Sequence, residues 1–146
     1  MNDRMKNFYM GIAEECAKMS RAVRLQVGCV IVQNNNIISF SWNGMPSGWD
    51  NNCEYEHYTL GNSNDFELKT RPEVIHAESN AISKLARSSE SGDGATMFIT
   101  HSPCLDCAKL IYQSGITKVY YGQQYRSEDG VDFLSKCKIE IEQIDV

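Results

Sequence analysis

The chain has 146 residues and a formal net charge of −5 at pH 7. That length suits one domain over residues 1–146, which would bury about 70% of the surface of the unfolded chain. The negative charge argues against nucleic acid as a partner, since such binding needs a basic face. We find no secretory signal and no apolar run near the roughly 20 residues that span a bilayer. We therefore expect a cytoplasmic protein, with no membrane partner, that acts on a small molecule.

The first third of the chain predicts a helix and a β-hairpin. Phe8, Ile12, Cys16 and Met19 recur at helical spacing within residues 3–20, which predicts an opening helix with this stripe in the core. The hairpin is predicted from two β-branched runs around an asparagine turn, QVGCVIVQNNNIISFSWNG. Its first run is apolar at successive positions, so we expect both faces of that strand to be covered. Cys29, like Cys16 and Cys137, is then an ordinary buried or half-buried thiol.

The rest of the chain predicts alternating helices and strands after a long loop. Residues 44–73 are rich in Gly, Asn, Asp and Ser and lack periodicity, which predicts a loop, and loops of that length are usually functional or disordered. After it come, in order, a helix PEVIHAESNAISKLARSS that opens at Pro72, a strand ATMFITH, a helix CLDCAKLIYQSG, a strand TKVYYG, a short helix near 129–135 and a strand KIEIEQI. Such alternation indicates an α/β layered sheet with helices on both faces.

Three side chains have the composition of a catalytic zinc site. His76, Cys104 and Cys107 supply the three protein ligands that such sites use, leaving one position for water. The two cysteines fall in the first turn of a predicted helix, where the helix dipole favours thiolates. Glu78 lies two residues after the histidine, and at a helix start it can reach the same point without binding the metal. This spacing indicates a metal-activated water with Glu78 as its proton acceptor.

Simpler interpretations of the same residues remain open. A single histidine is more often a core residue, and a Cys-x-x-Cys pair alone is divided between redox and structural metal roles. A closed structural zinc site would need a fourth ligand, which Cys53 or His57 could supply. Glu78 distinguishes the alternatives, because a closed site has no use for a carboxylate beside it. The ordered combination of His-x-Glu and Pro-Cys-x-x-Cys is the signature of zinc nucleobase deaminases.

Over nearly its whole length the chain resembles the deoxycytidylate (dCMP) deaminases of the cytidine deaminase superfamily, of the phage and eukaryotic type. The resemblance rests on the stretches QVGCVIV, WNGMPSG, HAESNAI and ATMFITHSPCLDCAKLIYQSGITKVYY. It implies a three-layer α/β/α cytidine-deaminase-like fold with a mixed five-stranded sheet, and a homo-oligomeric assembly, a hexamer. The implied reaction is zinc-dependent hydrolysis of dCMP to dUMP and ammonia, which supplies dUMP for thymidylate synthesis.

The resemblance also implies residue roles around the substrate. Glu78 would be catalytic, and the zinc ligands would be His76, Cys104 and Cys107. The substrate would be contacted by Asn43, Ala77, Ser102, Tyr125 and Arg126, with the arginine near the 5′-phosphate.

Members of this family are often regulated by nucleotides, with dCTP as activator and dTTP as inhibitor, bound with Mg²⁺ at the long loop. The positions of this chain that fit such a site are Arg21, Arg24, Gly44, Gly48, Asp50 and Asn51. Some phage relatives bind a second zinc near this loop; Cys53 matches one such position, but no cysteine just before the first strand accompanies it.

Two other functions compete with dCMP deamination. The first is a zinc deaminase with another substrate, such as dCTP, cytidine, guanine or an adenosine in tRNA; the negative charge disfavours tRNA. The second is a non-enzymatic zinc module.

Overall fold

The computed structural model describes residues 1–59 and 65–145. Its helices are α1 (Asp3–Lys18), α2 (Ala77–Ala86), α3 (Leu105–Gln113) and α4 (Asp129–Lys136). Its strands are β1 (Gly28–Gln33), β2 (Asn36–Trp42), β3 (Glu54–Tyr58), β4 (Phe66–Thr70), β5 (Thr96–His101), β6 (Lys118–Gln123) and β7 (Glu140–Gln143). None of the helices in these ranges is long and apolar enough to cross a membrane.

Five of the strands form one mixed sheet in the order β2-β1-β5-β6-β7. Strand β1 runs antiparallel to both β2 and β5, whereas β5, β6 and β7 are parallel to one another. The hairpin between β1 and β2 turns at Asn34 and Asn35, which adopt φ angles of 50° and 63°. Asparagine tolerates this left-handed conformation, so the predicted asparagine turn is confirmed.

The sheet is covered on both faces, so the fold has three layers. Strand β5 shows the division, because Met97 and Ile99 face the core beneath α2, α3 and α4, while Phe98 faces the core beneath α1. All but the last residue of β1 are buried, as the continuous apolar run predicted. The predicted α/β/α fold with a mixed five-stranded sheet is confirmed.

The predicted core stripe of the first helix is partly wrong. Phe8 and Met19 are 56% and 58% exposed. Met19 lies beyond the last turn as the C-cap, and Tyr9, next to Phe8, points inward and donates from its hydroxyl to Asn35 Oδ1 at 3.1 Å. The residues that α1 buries are Tyr9, Met10, Ala13 and Cys16. The sequence offers two adjacent apolar stripes, and local spacing does not say which one the sheet will cover.

The segment predicted as a loop contains the antiparallel pair β3–β4, whose register runs from Glu54 opposite Thr70 to Tyr58 opposite Phe66. The residues between the strands, 60–64, lie outside the described ranges. Only Glu54 is buried in β3, and no residue of β4 is fully buried. A strand pair lying on the surface carries no alternating apolar pattern, which is why periodicity missed it.

The chain enters α2 later than predicted. The helix was expected to begin after Pro72, but its first residue is Ala77, with His76 as the N-cap in an extended conformation. Just before it, Ile75 forms an isolated antiparallel bridge with Gly44, the second residue after β2. The Ile75 N–H donates to the Gly44 carbonyl at 2.8 Å, and the Gly44 N–H donates back at 3.1 Å. These two bonds need an extended backbone, so the helix cannot begin earlier.

Candidate active site

The three predicted zinc ligands meet where two helices begin. His76 is the N-cap of α2, Cys104 is the N-cap of α3, and Cys107 lies in the first turn of α3. The Nδ1 atom of His76 lies 3.7 Å from the Cys104 sulfur and 3.4 Å from the Cys107 sulfur. Tetrahedral zinc, with bonds of about 2.3 Å to sulfur and 2.0 Å to nitrogen, would hold these atoms about 3.5 Å apart. The two distances from the histidine to sulfur therefore fit a zinc ion, and all three donor atoms lie within 4.8 Å of one another.

The local electrostatics favour a cation at this point. The pKa of Cys104 is lowered to about 4, because first Cys107 and then His76 donate hydrogen bonds to its thiolate. The same hydrogen bond to Cys104, together with burial, raises the pKa of Cys107. The amino-terminal end of a helix adds a favourable field for thiolates. The site thus holds negative charge on sulfur that a soft divalent cation can take up.

Glu78 occupies the first turn of α2 and is only 5% exposed. Burial raises its pKa from 4.5 to about 7, against the opposing effects of its own backbone N–H and of nearby His76. A carboxyl group with this pKa can both take up and release a proton near neutral pH. It is a candidate general acid–base beside the metal ligands.

One cavity, called here the main cavity, is lined by His76, Cys104 and Glu78 and is partly open to solvent. Its lining combines metal ligands, apolar side chains and a few polar groups. The lining residues are Ala22, Leu25, Val27, Asn43, Thr70, Val74, His76, Ala77, Glu78, His101, Ser102, Cys104 and Tyr125. A cavity with this mixture of apolar walls and a few convergent polar groups is typical of small-molecule sites.

Four of the five predicted substrate residues line the main cavity: Asn43, Ala77, Ser102 and Tyr125. The Asn43 amide is already used to brace the wall, since Oδ1 accepts from the Val27 N–H and Nδ2 donates to the Leu25 carbonyl, both at 2.9 Å.

Ser102 also braces the wall of the main cavity. Its hydroxyl accepts hydrogen bonds from the Tyr125 N–H at 2.6 Å and from Gln124 Nε2 at 3.0 Å. Ser102 is buried, and Tyr125 is half-buried. The serine therefore fixes the segment that places the tyrosine ring at the cavity.

The fifth predicted substrate residue, Arg126, lies outside the main cavity. It lines an adjoining surface groove, called here the outer groove, whose lining residues are Arg24, Leu25, Thr70, His101, Gln123, Gln124, Tyr125 and Arg126. Four of these residues also line the main cavity, so the two spaces are continuous. Two arginines and no acidic residue occur among its described lining residues, which suits an anion. The sequence did not predict four of the lining residues, Leu25, Val27, Thr70 and His101. Of these, only His101 could have been recognised from the sequence, because it lies beside the Pro-Cys motif.

The positions predicted for a regulatory nucleotide do not all lie together. Arg24 lines the outer groove, whereas Arg21 and Asn51 are exposed and line neither space among the described residues. Gly44 lies in the bridge to Ile75, and Gly48 adopts a φ of 88° that favours glycine. Asp50 accepts a hydrogen bond from Arg71 at 2.9 Å, which ties the loop to the end of β4.

Neither residue considered as a fourth zinc ligand joins the other three. Cys53 is buried in a small cluster with Ala22 and Val74, and His57 is exposed on β3. Within the described residues, the one group of three or more side chains able to hold a metal is His76, Cys104 and Cys107. The arrangement is that of an open site rather than a closed one.

Comparison with known proteins gives the family. Residues 3–123 match the family model described as "Cytidine and deoxycytidylate deaminase zinc-binding region". The deoxycytidylate deaminase of Enterobacteria phage T4 is 35% identical, over 89% of this chain and 84% of the phage protein. The human deoxycytidylate deaminase is 34% identical, over 84% of this chain and 67% of its own length.

The solved structures agree. The dCMP deaminase of cyanophage S-TIM5, in complex with dCMP and dUMP, is 43% identical, covers 99% of both chains and superposes with a TM-score of 0.87. A tRNA:A34 deaminase shares the fold at 22% identity and a TM-score of 0.63. The resemblance inferred from the motifs is confirmed, and the chain belongs to the cytidine and deoxycytidylate deaminase family that carries this zinc-binding region.

Proposed function

We propose that this chain is a zinc-dependent hydrolase that converts dCMP to dUMP and ammonia. The observation that carries the proposal is a buried Glu78 beside an open three-ligand site, in a cavity that leads to a groove with two arginines. The ligand set and the carboxylate suit hydrolytic deamination, and the groove suits a substrate with a phosphate. The phage and human relatives with the same named activity support this choice of substrate.

His76, Cys104 and Cys107 would hold the zinc ion. Zinc bound there would supply Lewis-acid chemistry, which lowers the pKa of a water molecule toward neutrality. Because Cys53 and His57 lie elsewhere, the protein leaves room for that water. The three ligands stand where helices begin: His76 and Cys104 are N-caps, and Cys107 lies in the first turn of α3.

Glu78 would carry the protons of the reaction. It would take one proton from the attacking water and give it to N3 of the cytosine ring, and would then take the second proton from the new hydroxyl on C4 and give it to the departing amino group. A bond forms between the water oxygen and C4, and the bond between C4 and the exocyclic nitrogen breaks, which leaves uracil and ammonia. A pKa of about 7 suits a group that must accept and donate in one cycle.

The remaining cavity residues would orient the nucleotide. Asn43 and the Ala77 backbone would contact the sugar and the pyrimidine, Ser102 would lie near the leaving amino group, and Tyr125 would cover the ring. Arg126, across the outer groove, would bind the 5′-phosphate. Its guanidinium lies 6.0 Å from the centre of the Tyr125 ring, so the two side chains border the same opening.

The test is an ammonia-release assay on the zinc-loaded protein with dCMP, dCTP, deoxycytidine and cytidine. We expect dCMP to have the highest kcat/KM, because it alone combines the deoxyribose with a single phosphate. Highest activity on cytidine or dCTP would assign the site to the alternative deaminase function. No ammonia release from any of the four would favour a non-enzymatic zinc module.

Regulation and assembly belong to the same proposal. A nucleoside triphosphate with Mg²⁺, bound at the 44–57 loop between subunits of a hexamer, would act on substrate through Asn43, which directly precedes the loop. A difference in affinity between two loop arrangements typically gives a 5- to about 150-fold change in binding. dTTP should raise, and dCTP should lower, the dCMP concentration at half-maximal rate. Asp50→Ala, which removes one of the hydrogen bonds between Arg71 and the loop, should weaken both responses, and sedimentation velocity should give the mass of the assembly.

A further inference from the structure

The wall of the main cavity includes a segment without regular structure, residues 21–27, and this segment is held by a residue far away in sequence. Ala22, Leu25 and Val27 line the main cavity, and Arg24 lines the outer groove. The carboxylate of Glu54 accepts a hydrogen bond from the Val23 N–H at 2.9 Å. The same oxygen, Oε2, accepts from the Arg24 N–H at 3.1 Å. One carboxylate oxygen therefore fixes the backbone next to both spaces.

Glu54 is the single buried residue of β3, at 5% exposure. Burying a carboxylate is costly unless hydrogen bonds compensate for the lost water. The bonds that the structure gives to its carboxylate come from backbone N–H groups of the 21–27 segment. Fixing this segment is therefore what the buried charge accomplishes.

The opposite strand of the hairpin holds the side chain of the same arginine. Thr70 lies directly opposite Glu54 in the β3–β4 register. Its Oγ1 accepts a hydrogen bond from Arg24 Nη1 at 3.1 Å. Thr70 also lines both the main cavity and the outer groove. The base of the hairpin thus forms hydrogen bonds with Arg24 at two points, its backbone N–H and its guanidinium.

The charge of the outer groove indicates why the orientation of Arg24 matters. Arg24 and Arg126 both line the outer groove, and neither forms a salt bridge within the part of the chain that the structure describes. An arginine guanidinium binds a phosphate through paired hydrogen bonds and so must be correctly oriented. Arg24 is oriented by the hairpin, and its charge remains available for a ligand.

We propose that Glu54 and Thr70 are positioning residues that hold Arg24 for the 5′-phosphate of the substrate, so that the β3–β4 hairpin selects a nucleoside monophosphate over a nucleoside. The inference rests on the proposed function and deepens it. It assigns Arg24 to the substrate phosphate, together with Arg126, instead of to the regulatory site that the sequence suggested.

The test compares kcat/KM for dCMP with kcat/KM for deoxycytidine in each zinc-loaded variant. This ratio does not depend on the fraction of active protein, so a partly unfolded variant still reports. Arg24→Met should lower the ratio about tenfold or more, the usual weight of a hydrogen-bonded charge. Glu54→Ala should lower it about threefold to tenfold, through a higher KM for dCMP with kcat little changed.

Three further variants distinguish a positioning role of Glu54 from a general loss of structure. Glu54→Gln should retain a ratio within about threefold of wild type, because an amide carbonyl can accept both N–H groups that now share Oε2. Glu56→Gln, on the exposed side of the same strand, is the matched control and should leave the ratio unchanged. The double variant Arg24→Met with Glu54→Ala should have the ratio of Arg24→Met alone, since Glu54 acts through the arginine.

Equal losses for dCMP and deoxycytidine in Glu54→Ala would overturn the proposal and leave Glu54 a purely structural role. A wild-type ratio in Arg24→Met would overturn it as well. Calorimetric measurement of dUMP and deoxyuridine binding to the same proteins tests the phosphate site separately from the proposed deaminase activity. Loss of dUMP affinity in Arg24→Met and Glu54→Ala would support the phosphate site even if the wild-type protein failed to deaminate dCMP. Unchanged dUMP affinity in both would overturn the site regardless of activity.

Discussion

Replacing Glu78 by glutamine is expected to remove most of the turnover and, at the same time, to stabilise the metal-free protein. The side chain is 5% exposed, and burial raises its pKa from 4.5 to about 7. That difference corresponds to a penalty of roughly 3 kcal/mol for the ionised form in the fold, at about 1.4 kcal/mol for each pH unit. Glutamine has nearly the same shape and never carries the charge.

The stability difference between Glu78→Gln and the wild-type protein should depend on pH. Below about pH 4.5 the carboxyl is neutral in the folded and unfolded chains, and the variants should be equally stable. Between about pH 4.5 and 7 the unfolded wild-type chain releases the proton and the folded chain keeps it, so the free energy of unfolding falls as the pH rises. Above about pH 7 Glu78→Gln should be more stable by up to roughly 3 kcal/mol, less the cost of any lost hydrogen bond.

The assay is denaturant unfolding of both chelator-treated proteins at pH 5 and pH 8, together with zinc content and ammonia release after zinc is restored. Turnover should fall by about 10²–10⁴-fold, the usual contribution of a general acid–base, with the zinc content unchanged. Glu56→Gln is the control, because this carboxylate is exposed. A stability difference that did not grow with pH would refute the burial argument. Turnover within tenfold of wild type would refute the proton-carrying role.

Three further substitutions test a metal ligand, a cavity residue and the packing behind the metal ligands. Cys104→Ala should lose both zinc and activity, as metal analysis would show; a variant that kept a full equivalent of zinc would exclude Cys104 as an essential ligand. Ser102→Ala removes the acceptor of the half-buried Tyr125 N–H and of the exposed Gln124 amide, so it should cost about 0.5–1.5 kcal/mol of stability, measured by denaturant unfolding, and raise the KM for dCMP. Gly130→Ala would place a Cβ atom 2.1 Å from the Pro103 carbonyl oxygen and 2.9 Å from that of Cys104, so it should lower both thermal stability and zinc affinity; wild-type values of both would contradict this packing.

The metal ligands could be predicted from the sequence because they depend on local chemistry. Cys104 and Cys107 stand at a helix start that Pro103 announces, and His76 was placed near a helix start because Glu78, two residues later, has to reach the same point. The strands of the central sheet were predictable for a related reason, since β1, β5 and β6 are continuous apolar runs covered on both faces.

What the sequence did not predict depends on contacts between distant segments. The β3–β4 pair lies on the surface and so has no apolar periodicity, and its importance comes from Glu54 reaching Val23, 31 residues away. Arg24 was assigned to a regulatory site because charge near a loop suggested it. Its bond to Thr70, 46 residues away, places it at the outer groove. Local spacing carries no information on such pairings.

The bridge between Gly44 and Ile75 has a consequence for how long the protein keeps its metal. Ile75 directly precedes His76, so two backbone hydrogen bonds join Gly44, at the start of the loop, to the residue next to a candidate metal ligand. Opening of this bridge would release the extended backbone next to His76, and a zinc ion bound by His76, Cys104 and Cys107 would then lose its histidine ligand more easily. We expect a ligand that orders the 44–57 loop to slow zinc loss to a chelator, and zinc in turn to slow amide hydrogen exchange at Gly44 and Ile75.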